Sequence, residues 1–193
     1  MKLTDLLYVP QLDLLTPQTL FRIQAARARV GTVKRGHILL PPSHLMFGRF
    51  DLLGLPVGYF AESPETAAFE SLFRREADSV SLAVLAKRSL LCVQSTHSLR
   101  LLDLRPHTQS WPVLQSLRFA HTQALAAEAF GEGFAGIVYR SAQQYGMDCY
   151  ALFGDALGFL KPSWREPLLQ SGTGNLHKVV VAAQMGSQVM LTP

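Results

Sequence analysis

The chain has 193 residues, about half of them hydrophobic, and a formal net charge of +4, which is material for one core and too little length for several domains. Its two cysteines, Cys92 and Cys149, lie far apart without a CxxC or Cys/His cluster and exclude a disulfide framework or structural zinc site. The basic balance invites a nucleic-acid reading, but Arg22, Arg27, Arg29, Lys34 and Arg35 have neither interleaved aromatics nor a helix-turn-helix pattern, so no direct nucleic-acid contact is expected.

Residues 1–18, broken by Pro10 and Pro17, read as an arm wrapping the domain surface. An early Asp5 and Pro10, with no apolar run ending in small residues, argue against a signal peptide, and nothing approaches the roughly 20 apolar residues of a membrane span. A cytoplasmic location without membrane contact is expected. Thr19-Leu20-Phe21-Arg22-Ile23 has strand character, and Gly31, Gly36 and Pro41-Pro42 mark a long loop after it. Residues 45–50 and 57–61 read as short strands. Ser63-Pro64-Glu65 is a helix start, because Ser caps a free N–H, Pro suits the first helical position and Glu complements the positive dipole end. The helix is expected to reach about residue 76, with Phe69, Leu72 and Phe73 as its apolar stripe and Glu70 beside it. Strands follow at 81–86 and 99–104, then a helix over 113–130 capped by Gly131, then buried strands at 136–139 and 149–153. Residues 178–183 admit strand or helix, and 188–191 a last strand. Strands grouped with a few helices, without a strict βαβ rhythm, predict an α+β domain.

Gly131-Glu132-Gly133-Phe134-Ala135-Gly136 matches GxGxxG by letter. A dinucleotide fingerprint needs a strand before it and a helix after it, and here the order is reversed. The six histidines, His37, His44, His97, His107, His121 and His177, show no metal-ligand spacing, so no metal is expected. Ser141 has no GxSxG elbow around it. Arg49, Tyr59 and Glu70 stand ten and eleven residues apart, a cation, a hydroxylated aromatic and a carboxylate. Taken singly, each admits a structural account: a strand-end arginine paired with a surface acid, a rim tyrosine, and an i,i+4 pair of Glu70 with Arg74 worth about 0.2–0.5 kcal/mol.

Together they resemble a known pattern. Gly48-Arg49-Phe50, Val57-Gly58-Tyr59-Phe60-Ala61, the segment from Ser63 to Glu70, Leu101-Leu102-Asp103-Leu104, Gly136-Ile137-Val138-Tyr139-Arg140-Ser141 and Ala151-Leu152-Phe153-Gly154 are similar, in order and spacing, to motifs of the RES domain family. That family, named for an Arg, a Glu and a Ser, contains bacterial toxins with a fold related to ADP-ribosyltransferases. The resemblance covers roughly residues 19–154 and implies a single RES-like domain over 1–193, a compact mixed β-sheet core with surrounding helices. It departs where Asp51-Leu52 replaces the polar pair that often follows the Gly-Arg element.

The resemblance implies an NAD⁺-consuming toxin that cleaves the nicotinamide–ribose bond, with NAD⁺ as substrate and no cofactor. Arg49 would hold the pyrophosphate through bidentate charge-assisted bonds. Tyr59 would pack on the nicotinamide or ribose and offer its hydroxyl, and Glu70 would stabilise positive charge developing on the sugar. Ser141 would add a neutral contact to the ligand's phosphate or ribose. Phosphate, water or a protein side chain would each capture the ribosyl cation, giving phosphorolysis, hydrolysis or ADP-ribosylation, and a non-catalytic nucleotide-binding module is the alternative of another class. A cognate antitoxin with a DNA-binding domain is the implied partner, in a hetero-oligomer.

Overall fold

The computed structural model describes residues 2–6 and 8–193; Met1 and Leu7 of the N-terminal arm lie outside the described residues. In chain order the elements are β1 (Gln11–Leu14), β2 (Thr19–Ala25), β3 (Val33–Arg35), β4 (Ile38–Leu40), β5 (Val57–Ala61), α1 (Pro64–Ser71), β6 (Ser79–Ser81) and α2 (Leu82–Leu85). Then come β7 (Arg88–Ser95), β8 (Leu99–Asp103), α3 (Ala120–Gly131), β9 (Gly136–Arg140), β10 (Asp148–Phe153), β11 (Leu160–Pro167), α4 (Lys178–Met185) and β12 (Met190–Thr192).

Eight strands form one sheet in the order β1, β8, β9, β10, β5, β2, β7, β11. Neighbours are antiparallel except β8 and β9, a parallel pair whose crossover carries α3. Both faces are covered, so the inner strands are apolar almost throughout rather than alternating with polar residues. Leu90, Leu102, Ile137 and Ala151 belong to one core with Ala67 and Ala68 of α1, Leu125 and Ala126 of α3 and Val180 and Ala183 of α4. Their sequence neighbours Leu91, Leu101, Val138 and Leu152 face the other core with Ile38, Leu40 and Leu157, as the period of two in a strand requires. Each leucine so buried stabilises the fold by about 1.5–3 kcal/mol.

The α+β architecture is the one expected, with several local differences. Residues 45–50 form turns rather than a strand, with Leu45 N–H bonded back to the Pro42 carbonyl, Asp51 N–H bonded to the Gly48 carbonyl, and Met46 at φ 48°. Ser63 caps α1 as read, accepting from Thr66 N–H at 3.1 Å, but the helix stops at Ser71 and buries Phe73 in a turn. Residues 82–85 coil into the short helix α2 because Ser81 Oγ caps Val84 N–H, and the long strand lies later, in β7. The single helix expected over 113–130 is broken into a 3₁₀ turn, Pro112–Gln115, and α3. The arm contributes β1 to the sheet edge, the long loop holds the β3–β4 hairpin, and residues 178–183 are helical. Gly131 ends α3 and Gly136 starts β9, so the GxGxxG letters join a helix to a strand. No helix among the described residues is long and apolar enough to cross a membrane.

Candidate active site

β2 and β5 are neighbours in the sheet, yet they pair at Phe21↔Ala61 alone. Where the ladder stops, a cavity of about 220 Å³ is lined by Phe21, Arg22 and Ile23 of β2 and by Tyr59, Phe60 and Ala61 of β5. Ala67, Glu70 and Ser71 of α1, the Phe47–Arg49 turn, Arg74, Phe119, Tyr139 and Cys149 complete the lining. Arg49, Tyr59 and Glu70 are therefore brought to one cavity.

Arg49 reaches it from a turn held by α3. Thr122 Oγ1 donates to the Arg49 carbonyl at 2.6 Å, and Gln123 Nε2 donates to the carbonyls of Met46 and Gly48 at 3.0 and 2.9 Å. The guanidinium Nη1 donates to the carbonyls of Leu114 and Ser116 at 2.6 and 2.8 Å, and its carbon lies 5.4 Å from the Phe119 ring centre. Those two carbonyls, which a continuous helix would use internally, explain the break before α3. Both Nη1 protons are committed, so Nε and Nη2 form the edge of the fork that can serve a ligand.

Tyr59 lines the cavity, but its hydroxyl is already engaged. It donates to Asp51 Oδ1 at 2.8 Å and accepts from Phe50 N–H at 2.8 Å, while Asp51 Oδ2 accepts from Gly48 N–H at 2.6 Å. Burial, followed by the Asp51 carboxylate, pushes the Tyr59 pKa well above its ordinary value. The hydroxyl thus pins the Arg49 turn instead of offering a free proton to a ligand.

Glu70 sits near the C-terminal end of α1. Its Oε1 accepts from Ser141 Oγ at 2.5 Å and from the N–H groups of Ala142 and Gln143 at 3.1 and 3.3 Å, which leaves Oε2 without a hydrogen bond among the described residues. Ser141 is 3 % exposed and is not part of the lining. It donates to Glu70 and accepts from Gln143 and Gln144 N–H at 3.1 and 2.8 Å, so the structure turns the expected ligand contact into a group that orients Glu70.

Two further arginines line the cavity, and the sequence reading assigned neither to the site. Arg22 donates from Nη1 to the Tyr59 carbonyl at 2.8 Å and from Nη2 to the Leu39 carbonyl at 3.4 Å, bridging the gap where β2 and β5 part. Burial brings its pKa down to about 10. A charge in the middle of an apolar strand was the available signal, since such a group needs partners. Arg74 lies beyond the end of α1 and pairs with Glu76 at 2.6 Å, whereas Glu70 is held by the loop after β9. Among the described residues no group of three or more His, Cys, Asp or Glu side chains could hold a metal ion.

The RES domain profile matches residues 19–168, from β2 through β11. The chain belongs to the RES domain family. Among solved structures, a chain of the M. tuberculosis MbcT–MbcA toxin–antitoxin complex shares the fold of this RES domain, with a TM-score of 0.61 at 15 % identity over 90 % of each chain. Among curated proteins none matches this RES domain chain in sequence.

Proposed function

We propose that this RES domain is an NAD⁺-degrading toxin, a single-domain cytoplasmic enzyme that breaks the nicotinamide–ribose bond and is restrained by a cognate antitoxin. The observation that carries the reading is the state of Glu70: one carboxylate oxygen is fixed by three donors, the other is unbonded among the described residues, and Glu70 lines a cavity that also receives Arg49. A volume of about 220 Å³ lies below the about 300–1,000 Å³ of drug-sized sites. It suits enclosure of the nicotinamide and its ribose, with the rest of the dinucleotide toward the opening.

In the reaction the C–N glycosidic bond breaks, its electron pair leaves with nicotinamide as a neutral ring, and positive charge develops on the ribose. Glu70 stabilises that charge, and the stabilisation needs no reorganisation because Ser141 and two backbone N–H groups already hold the carboxylate. Arg49 offers Nε and Nη2 to the pyrophosphate, and the Tyr59 ring packs on the sugar or the base. No strong base is required. Capture by phosphate yields ADP-ribose 1″-phosphate, capture by water yields ADP-ribose with loss of a proton, and capture by a side chain yields an ADP-ribosylated protein. Phe47, 72 % exposed on the cavity rim, gives an antitoxin segment an apolar foothold.

Purified protein incubated with NAD⁺, with and without phosphate, is expected to release nicotinamide, and the second product names the acceptor. Glu70→Gln should fold normally and lose about 10²–10³ in rate. Binding of NAD⁺ without nicotinamide release would leave a nucleotide-binding module, and full turnover by folded Glu70→Gln would remove Glu70 from the mechanism.

A further inference from the structure

Among the described residues, the buried side-chain nitrogen and oxygen atoms without a hydrogen-bond partner are Nε of Arg22 and Nε of Arg74, and both arginines line the same cavity. A buried donor left without an acceptor is costly. Two of them at one opening point to acceptors that a ligand brings. With Arg49, the lining holds three guanidinium groups against the carboxylate of Glu70, a balance that fits a ligand carrying two anionic groups.

The three arginines are not equally free. Nη1 of Arg49 is spent on two carbonyls, and Arg22 gives one proton each to Tyr59 and Leu39. Arg74 pairs with Glu76 through Nη2, and at 38 % and 43 % side-chain exposure that pair is partly open to solvent and weak. The turn carrying them is tied to the loop that holds Glu70. Gln143 Oε1 accepts from Arg75 N–H at 2.8 Å, its Nε2 donates to Glu76 Oε2 at 3.2 Å, and its backbone N–H reaches Glu70 at 3.3 Å.

We infer that Arg74 is a second anion-recognition residue of this cavity, which exchanges its bond to Glu76 for a phosphate of a diphosphate-bearing ligand. Glu76 is then the ligand's competitor: it holds the guanidinium at the rim while the cavity is empty and releases it when a phosphate arrives. The identity of the ligand as an ADP-ribosyl compound rests on the function proposed above, whereas the exchange itself rests on the Arg74–Glu76 pair and the unmet Nε.

Calorimetry with ADP-ribose tests it on three proteins. Arg74→Gln should weaken binding by about tenfold or more, the loss of one charge-assisted hydrogen bond. Glu76→Gln should tighten it several-fold by removing the competitor, and with NAD⁺ the Arg74 variant should show a raised KM at nearly unchanged kcat. A turn with only a structural role predicts the same sign for both substitutions, so weaker binding in both variants, or no change in Arg74→Gln, overturns the inference. So does failure of the unaltered protein to bind ADP-ribose. Tight ADP-ribose binding without nicotinamide release from NAD⁺ would instead refute bond cleavage and leave Arg74 in its role.

Discussion

A Cβ placed on Gly48 would lie 2.3 Å from the Tyr59 hydroxyl and 2.5 Å from Asp51 Oδ1, so one methyl group is incompatible with the bonds that hold the Arg49 turn. Gly48→Ala should displace that turn and lower turnover by up to about 10²-fold while the two cores stay folded; steady-state kinetics beside a thermal melt checks both halves, and unchanged kinetics would show that the turn does not set the position of Arg49. At this scale the spacing of Arg49, Tyr59 and Glu70 was legible, and so was the Ser63 cap. What two of the expected contacts do was not legible. Ser141 meets Glu70 across 71 positions of sequence, and the Tyr59 hydroxyl is taken by Asp51, the residue that departs from the family's usual pattern. Such pairings arise only when strands and turns are stacked, and local sequence carries no record of them.

Beside the site loop, the ends of β8, β9 and β10 are joined by charge. Arg105 donates from Nε and Nη2 to the Asp103 carboxylate at 2.8 and 2.7 Å and from Nη1 to Asp148 Oδ2 at 2.6 Å, and Arg140 donates to Asp148 Oδ1 at 2.5 Å. Asp103 foremost, with Asp148, holds the Arg105 pKa above its ordinary value. Arg105→Ala leaves two mostly buried carboxylates short of a partner and should destabilise the fold by roughly 1.5–3 kcal/mol, read as a lowered urea midpoint at unchanged slope. An unchanged midpoint would mean that water and Arg140 replace the lost bonds. Elements whose cause is local were readable: β5, β8, β9 and β10 from apolar runs, and the start of α1 from its cap. The turns at 45–50 were misread because Leu45, Met46 and Phe47 imitate a strand while side chains of α3 decide the backbone path. The helix break before α3 was hidden for the same reason, since Arg49 draws out its carbonyls.

Across the whole molecule, burial foremost raises the pKa values of Tyr59 and Tyr139 well above normal and that of Tyr150 to about 12. In the unfolded chain a tyrosine ionises near pH 10. The stability these groups contribute is therefore complete below about pH 10 and is lost as pH climbs beyond it, because only the unfolded state then releases protons. A pH titration should show their tyrosinate absorbance appearing together with loss of the folded circular-dichroism signal; ionisation of all the tyrosines near pH 10 in a folded protein would contradict their burial. The α+β class was visible at this scale, because strands without a βαβ rhythm have few ways to bury both faces of a sheet. Strand order was not, and with it went the junction of β2 and β5, where one residue pair stands in for a ladder. That junction makes the seam of the sheet and the opening of the cavity a single feature. A variant whose two strands zipped further would gain backbone bonds and lose the space between them, so selection for a sturdier sheet alone would carry this chain toward a stable, inert relative of itself.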